Sequence, residues 1–143
     1  MTTPAISIRE AISADESMVG GLDQHARAEG KRHRGSRHLF ESLGSFGDRW
    51  AGRAHTHRFD VALVDDQIVG FCVVRTGARP LLDQIFVHPQ ARGLGIGAAL
   101  LKDAVQRHGA QNLDALSLPG DRLTKNLYER AGLKARLIVA SSL

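Results

Sequence analysis

Val87-His88-Pro89-Gln90-Ala91-Arg92-Gly93-Leu94-Gly95-Ile96-Gly97-Ala98 is the stretch on which the reading of this chain turns. Leu81 to Val87 reads as a strand, which Pro89 stops. From Gly97 the period changes to 3.6: Gly97, Leu100, Leu101, Ala104 and Val105 form one stripe, and Lys102, Asp103, Gln106 and Arg107 the other. The stretch therefore joins a strand to a helix. Gly93, Gly95 and Gly97 let the backbone bend tightly and approach a ligand. The N–H groups at a helix start lack partners and carry the positive end of the dipole. Together these features make an anion site suited to a pyrophosphate. A tight turn that only packs a helix on a sheet has the same glycines.

Working outward, Ile6 and Ile8 alternate with polar residues as a short strand. Ser13 and Glu16 have capping-box spacing, and Met18, Val19, Leu22 and Ala26 follow at helical intervals. Glu29–His38 is polar and irregular. Leu39, Phe40, Leu43 and Phe46 form a second short amphipathic helix. Phe59, Val61 and Leu63 alternate, Asp65-Asp66 turns the chain, and Ile68–Val74 is a β-rich run interrupted by Gly70. Beyond the glycine helix, Leu113–Leu118 reads as a strand and Pro119-Gly120 as a turn. Leu123, Leu127 and Ala131 form a helical stripe closed by Gly132, and Leu137–Ala140 reads as a last strand. The order predicts a mixed α/β layer fold.

The chain has 143 residues, enough for one domain, and residues 1–143 are read as such. Its longest apolar runs are four residues, such as Val61–Val64, where a membrane helix needs ~20. Met1 to Ser7 lacks a basic-then-apolar export pattern. The single cysteine, Cys72, excludes an internal disulfide and a Cys-rich zinc site; it reads as a buried small residue, and Trp50 as packing. His55 and His57 share a strand face, but no carboxylate or cysteine stands at a convincing spacing for a metal. A cytoplasmic protein is the expectation.

Three phosphate-binding schemes use such a turn. A P-loop needs Gly-Lys-Ser/Thr at its end; Gly97 is followed by Ala98-Ala99, so that scheme fails. Gly93-x-Gly95-x-x-Ala98 fits the dinucleotide fingerprint, with Asp114 roughly twenty residues on as a ribose acid. Asp114 falls near the start of its strand, however, and only 45 residues follow Ala98, too few for a doubly wound domain. The third scheme is coenzyme A. Here the chain resembles the GCN5-related N-acetyltransferase (GNAT) superfamily. Arg92-x-x-Gly95-x-Gly97 matches its Arg/Gln-x-x-Gly-x-Gly/Ala signature. Val61–Asp65 and Ile68–Phe71 look like its second and third strands, and Lys125–Leu133 looks like its helix ending in Tyr-x-x-x-Gly-Phe. The likeness covers residues 59–134; the first 58 agree only in the order of elements.

The resemblance implies a mostly antiparallel central sheet flanked by helices, with a shortened C-terminal end. It also implies direct attack of an amine on acetyl-CoA. Arg92, Gly93, Leu94, Gly95, Ile96, Gly97 and Ala98 would bind the pyrophosphate, with the Arg92 side chain on phosphate or on a carboxylate. Ile85, Phe86 and Val87 would lie along the pantetheine arm as a strand-like partner, and a backbone N–H there would polarise the thioester carbonyl. Tyr128, the only tyrosine, holds the family's usual general-acid position. Asp83 is the candidate base, or else a strand-edge carboxylate, and Gln84 could position a water. Asp83 is expected on the face of Leu81, Ile85 and Val87. Where many relatives have an Asn contacting pantetheine this chain has Asp121, which could instead cap the following helix. Relatives mostly end in two strands and this chain has room for one, so a second subunit is one way to cover the final edge. A non-catalytic acyl-CoA-binding regulator is the rival reading.

The net charge is +4. Residues 25–58 hold eight Lys/Arg against three Asp/Glu, and five of the seven histidines; the rest of the chain holds eleven against twelve. No aromatic residue lies between His25 and His38, which argues against a single-strand nucleic-acid binder. Most of these charges read as solvated. The segment falls where the resemblance puts the acceptor side, so the expected partner is a small-molecule or peptide amine; its basic residues would suit either an acidic group on that acceptor or the 3′-phosphate of CoA.

Overall fold

The computed structural model describes residues 4–109 and 111–142; residues 1–3, 110 and 143 of the expected 1–143 domain lie outside them. One five-stranded sheet runs in sequence order: β1 (Ile6–Glu10), β2 (His57–Val64), β3 (Gln67–Arg75), β4 (Leu81–Val87) and β5 (Asp114–Ala115). The first four strands pair antiparallel and β5 lies parallel to β4. This is the mixed, mostly antiparallel sheet flanked by helices that the sequence predicts. Between β1 and β2 come a 3₁₀ turn (Ser13–Asp15), α1 (Glu16–Gly30), α2 (Ser36–Leu43) and α3 (Phe46–Ala51). Helix α4 (Ile96–His108) follows the glycine turn and α5 (Arg122–Arg130) closes the order. No helix among the described residues is long and apolar enough to cross a membrane.

The alternation of β2 and β3 divides the core into two layers. Phe59, Val61, Phe71 and Val73 face Val19 and Leu22 of α1 and Trp50 of α3. Ala62, Cys72, Val74 and Leu82 face Leu100, Leu101 and Ala104 of α4. Trp50 stacks on Phe46 and meets Phe59 edge-on, and Cys72 is a buried free thiol. Asp65 and Asp66 both take positive φ, 49° and 68°, as the tight turn of the β2–β3 hairpin.

Several local expectations are corrected. Ser13 does not cap α1. Asp15 holds the N-cap position but gives α1 no side-chain cap; its carboxylate instead accepts from Ile12 N across the 3₁₀ turn and pairs with Arg9, because an aspartate can satisfy a backbone donor and a guanidinium together. The predicted second helix is two helices, broken at Gly44, whose φ of 78° no helix sustains. Leu113–Leu118 shrinks to the two-residue β5, which leaves β4 after two rungs. Leu123 is exposed rather than part of a packed stripe, and Tyr128 is the buried residue of α5. Leu137–Ala140 forms no strand; Leu137, Ile138 and Val139 stand in solvent.

Gly70 sits opposite Val87, and a Cβ there would lie 2.9 Å from the Phe86 carbonyl oxygen. That oxygen is backbone and cannot turn away. Gly70→Ala is expected to lower stability by about 1–3 kcal/mol, read as a lower urea midpoint with an unchanged slope.

Candidate active site

β4 carries the site. Its register against β3 jumps by one residue, from Val73↔Gln84 to Val74↔Leu82, leaving Asp83 as an extra residue. Such a bulge reverses the alternation of faces. Leu82, Ile85 and Val87 therefore pack on the α4 layer, while Phe86 packs on the α1 layer. Asp83 and Gln84 both reach Arg49 of α3. The expectation that Asp83 shares the face of Ile85 and Val87 is overturned, since period-two counting fails across a bulge.

The two side chains enter a buried charged cluster. Arg49 Nη2 donates to Gln84 Oε1 at 2.7 Å and lies 3.3 Å from Asp23 Oδ1. Gln84 Nε2 donates to the same Asp23 oxygen at 2.9 Å, and Arg27 Nε donates to Asp23 Oδ2 at 2.8 Å. Arg49 Nη1 lies 3.4 Å from Asp83 Oδ1, and Arg75 Nη2 3.7 Å from Asp83 Oδ2. The side chains of Asp23, Arg49 and Asp83 are at most 3% exposed. Arg49 Nε and Asp83 Oδ2 make no hydrogen bond within the protein. Burial pushes the Asp83 carboxyl up to about 6, against the opposing pull of Arg49 and Arg75. Asp23 and Arg49 were missed from sequence. The signal was present: Asp23 stands on the Val19–Leu22–Ala26 stripe, and Arg49 on the face of Phe46 and Trp50.

Beside this cluster β4 and β5 part. They pair only at Leu81↔Asp114 and Leu82↔Ala115, with Leu116 N donating to the Leu82 carbonyl. Beyond that point β4 has no β5 partner. The opening leads into a cleft of about 740 Å³, walled by Asp83–Val87, by residues 91–93 and 95–98 of the glycine turn, by residues 116–118 and by one face of α5. Most of the predicted site residues thus meet on one surface. Leu94 does not line the cleft and is 44% exposed. Tyr128 lies behind the wall, in the core. Its hydroxyl donates to the Leu116 carbonyl at 2.7 Å, at the root of the opening. Burial, the largest cause, holds this phenol well above its ordinary value, so it keeps its proton at any neutral pH.

The glycine turn suits an anion. Gly93 and Gly95 take φ of 88° and 80°, a region that disfavours side chains. The first helical hydrogen bond of α4 runs from Ala99 N to the Gly95 carbonyl, and the N–H groups before it belong to the cleft wall. Gly97 allows close packing; a Cβ there would sit 3.3 Å from Leu127 Cδ2. Arg92 is taken up by the protein itself. Nη2 donates to Glu29 at 2.7 Å and Nε to the Val87 carbonyl at 3.1 Å, with the guanidinium over the Phe86 ring. Asp121 caps α5, accepting from Thr124 N and Oγ1. Asp114 pairs with Arg79, which removes it as a ribose acid. Among the described residues no group of three His, Cys, Asp or Glu is placed to hold a metal.

A sheet parted beside a glycine-turn anion site is the architecture of an acyl-CoA-dependent acyltransferase. The family model of the GNAT acetyltransferase domain matches residues 55–134, more than half of the chain, and the chain belongs to that family. Solved structures share the fold. A transcriptional regulator from Bacillus halodurans C-125 is 24% identical with a TM-score of 0.72, the match covering 97% of this chain and 99% of that one. A predicted acetyltransferase with acetyl-CoA from Clostridium acetobutylicum is 13% identical, at 0.71, over 96% and 95%. An aminoglycoside N-acetyltransferase in complex with CoA is 20% identical, at 0.68, over 99% and 97%. No curated protein matches.

Removing one partner of a buried ion pair costs about 3–5 kcal/mol, because the other charge stays uncompensated. Arg49→Met is expected to lose stability on that scale in urea denaturation. Arg37→Gln breaks the exposed pair with Glu41 and is expected to change stability by less than about 1 kcal/mol.

Proposed function

We propose that the protein is an N-acetyltransferase that moves the acetyl group of acetyl-CoA to a primary amine by direct attack in a ternary complex. The observation that carries this reading is the parting of β4 and β5 with a protonated Tyr128 at its root. The single domain of the expectation is taken to be the whole catalytic unit. An aminoglycoside enzyme among the structural neighbours supports an amine acceptor, here a small molecule or a peptide.

The cleft residues fit acetyl-CoA. Backbone N–H groups from Arg92 to Ala98 would hold the pyrophosphate. The Arg92 side chain, held by Glu29, ties α1 to the glycine turn rather than reaching phosphate. The unpaired edge of Ile85–Val87 would take the pantetheine amides as an added strand. When bound, acetyl-CoA supplies an activated acetyl thioester. Main-chain N–H groups of β4 stabilise negative charge on the carbonyl oxygen. Tyr128 Oη would release Leu116 and give its proton to the sulfur as the C–S bond breaks, regaining one as the newly acylated nitrogen sheds its extra proton.

The incoming amine must be neutral to attack. Asp83 takes its proton, and because the carboxylate is wholly buried that proton arrives through water in the cleft. A carboxyl held near 6 is mostly ionised at neutral pH and is a better base than an ordinary aspartate. The sign follows: the productive form is the carboxylate, so activity falls as pH drops through about 6. Asp23 and Arg49 are positioning residues, holding the bulge and both of its side chains.

Tyr128→Phe is expected to lower kcat about 100-fold or more while acetyl-CoA still binds, and to lose about 1 kcal/mol of stability with the Leu116 bond. Release of free CoA, followed with an amine panel, measures this; undiminished turnover would remove Tyr128 as the acid. Asp83→Asn is expected to flatten the acidic limb of the kcat/KM profile. A limb that persists unmoved would remove Asp83 as the base.

A further inference from the structure

The cleft has a second mouth. The α1–α2 connection, Lys31-Arg32-His33-Arg34-Gly35, packs on the residues after β5 and lends Arg32 and His33 to the cleft lining. A Cβ on Gly35 would lie 3.7 Å from Leu118 and 3.8 Å from Pro119, and one on Gly120 would lie 4.0 Å from His33 Nδ1. Arg32 and His33 line the main cleft; together with Arg34, Pro119 and Gly120 they also wall an adjoining hollow.

The charges of this mouth are unbalanced. Every carboxylate on the cleft wall is already engaged. Glu29 holds Arg92, Asp83 lies between Arg49 and Arg75, and Asp121 caps α5. Arg32 and Arg34 have no carboxylate partner among the described residues, although eleven ion pairs form elsewhere in them. Their position after the last turn of α1 is favourable for cations, but the dipole alone needs neither three basic side chains nor their gathering around one hollow beside the cleft. Arginine presents a planar fork of donors that suits carboxylate and phosphate oxygens.

We propose that Arg32, His33 and Arg34 form an anion subsite for the acceptor, and that the acceptor is a primary amine carrying a carboxylate or phosphate group. The inference rests on the acetyltransferase reading and specifies its second substrate. Glycine turn and anion subsite then divide the work. The turn takes the pyrophosphate, and the α1–α2 connection takes the acid end of the acceptor, directing its amine inward past Gln84 and Asp83. A polyamine is repelled by the same residues. Because the subsite is exposed, its contribution falls as salt rises.

The test uses the full chain saturated with CoA. NMR titration gives dissociation constants for phosphoethanolamine against ethanolamine, and for 4-aminobutyrate against 4-aminobutanamide and spermidine. The acidic member of each set is expected to bind at least about tenfold more tightly, the worth of one charge-assisted hydrogen bond. The exposed double variant Arg32→Gln/Arg34→Gln is expected to lose that preference. Equal binding of acidic and neutral amines, or tighter binding of spermidine, would overturn the proposal. So would a loss of CoA affinity in the variant that disappears with 3′-dephospho-CoA, since the cluster would then belong to the cofactor. Transfer of the acetyl group, assayed separately with the same amines, tests the catalytic reading. An acid preference that vanishes in the variant supports the anion subsite whether or not acetyl moves.

Discussion

One extra residue in β4 organises the candidate site. Without the bulge at Asp83, period two would send Asp83 and Gln84 to opposite faces. With it, both enter the α1 layer and meet Arg49, while Ile85 and Val87 return to the α4 layer. The strand is thus committed to a buried polar cluster at one end and to an apolar packing surface at the other. Where the polar end begins, β5 departs and the cleft opens. The cluster and the cleft both begin at this irregularity.

Burying Asp23, Arg49 and Asp83 is costly, and a hydrophobic trio of similar volume would often be as stable or more so. Their retention beside the cleft is the pattern expected when ionisation matters more than stability. Asp83 is held by two arginines yet still raised, because loss of water outweighs both. Tyr128 is raised by the same cause, and the proposed roles use it oppositely: an acid must keep its proton, and a base must be ready to accept one. The two groups lie on opposite layers of the sheet, which keeps the proposed donor and acceptor of protons apart.

Much of the fold was legible because it rests on local rules. The β2–β3 hairpin follows from alternation around Asp65-Asp66, and the strand–glycine turn–helix unit from three glycines and a change of period. The two layers follow from which residues of β2 and β3 share a parity. Expectations failed where a long-range contact overruled a local preference. The apolar run Leu137–Ala140 has the composition of a strand but lies exposed without a pairing partner. Leu113–Leu118 is apolar enough for six residues of strand, but pairing ends after two. Asp23 and Arg49 sit 26 residues apart on different helices, and neither position signals the other until α1 and α3 pack on one sheet.

By itself the sequence determined the class of fold and the glycine turn that opens α4, because spacing and residue type are enough to specify a tight turn and a helix start; the proposed acid, Tyr128, came with the family resemblance. Tertiary structure alone decided where the protons and charges reside. A one-residue slip in register turned Asp83 into a buried carboxyl, Arg92 found its partner in Glu29, 63 residues away in the chain, and Tyr128 was drawn into the core. It also showed that the basic segment is not simply solvated: Arg27, Arg49 and Arg58 pair with buried carboxylates, while Arg32 and His33 line the cleft. Burial and pairing are properties of neighbours in space, and the neighbours of these groups are set by the sheet register and the packing of helices upon it.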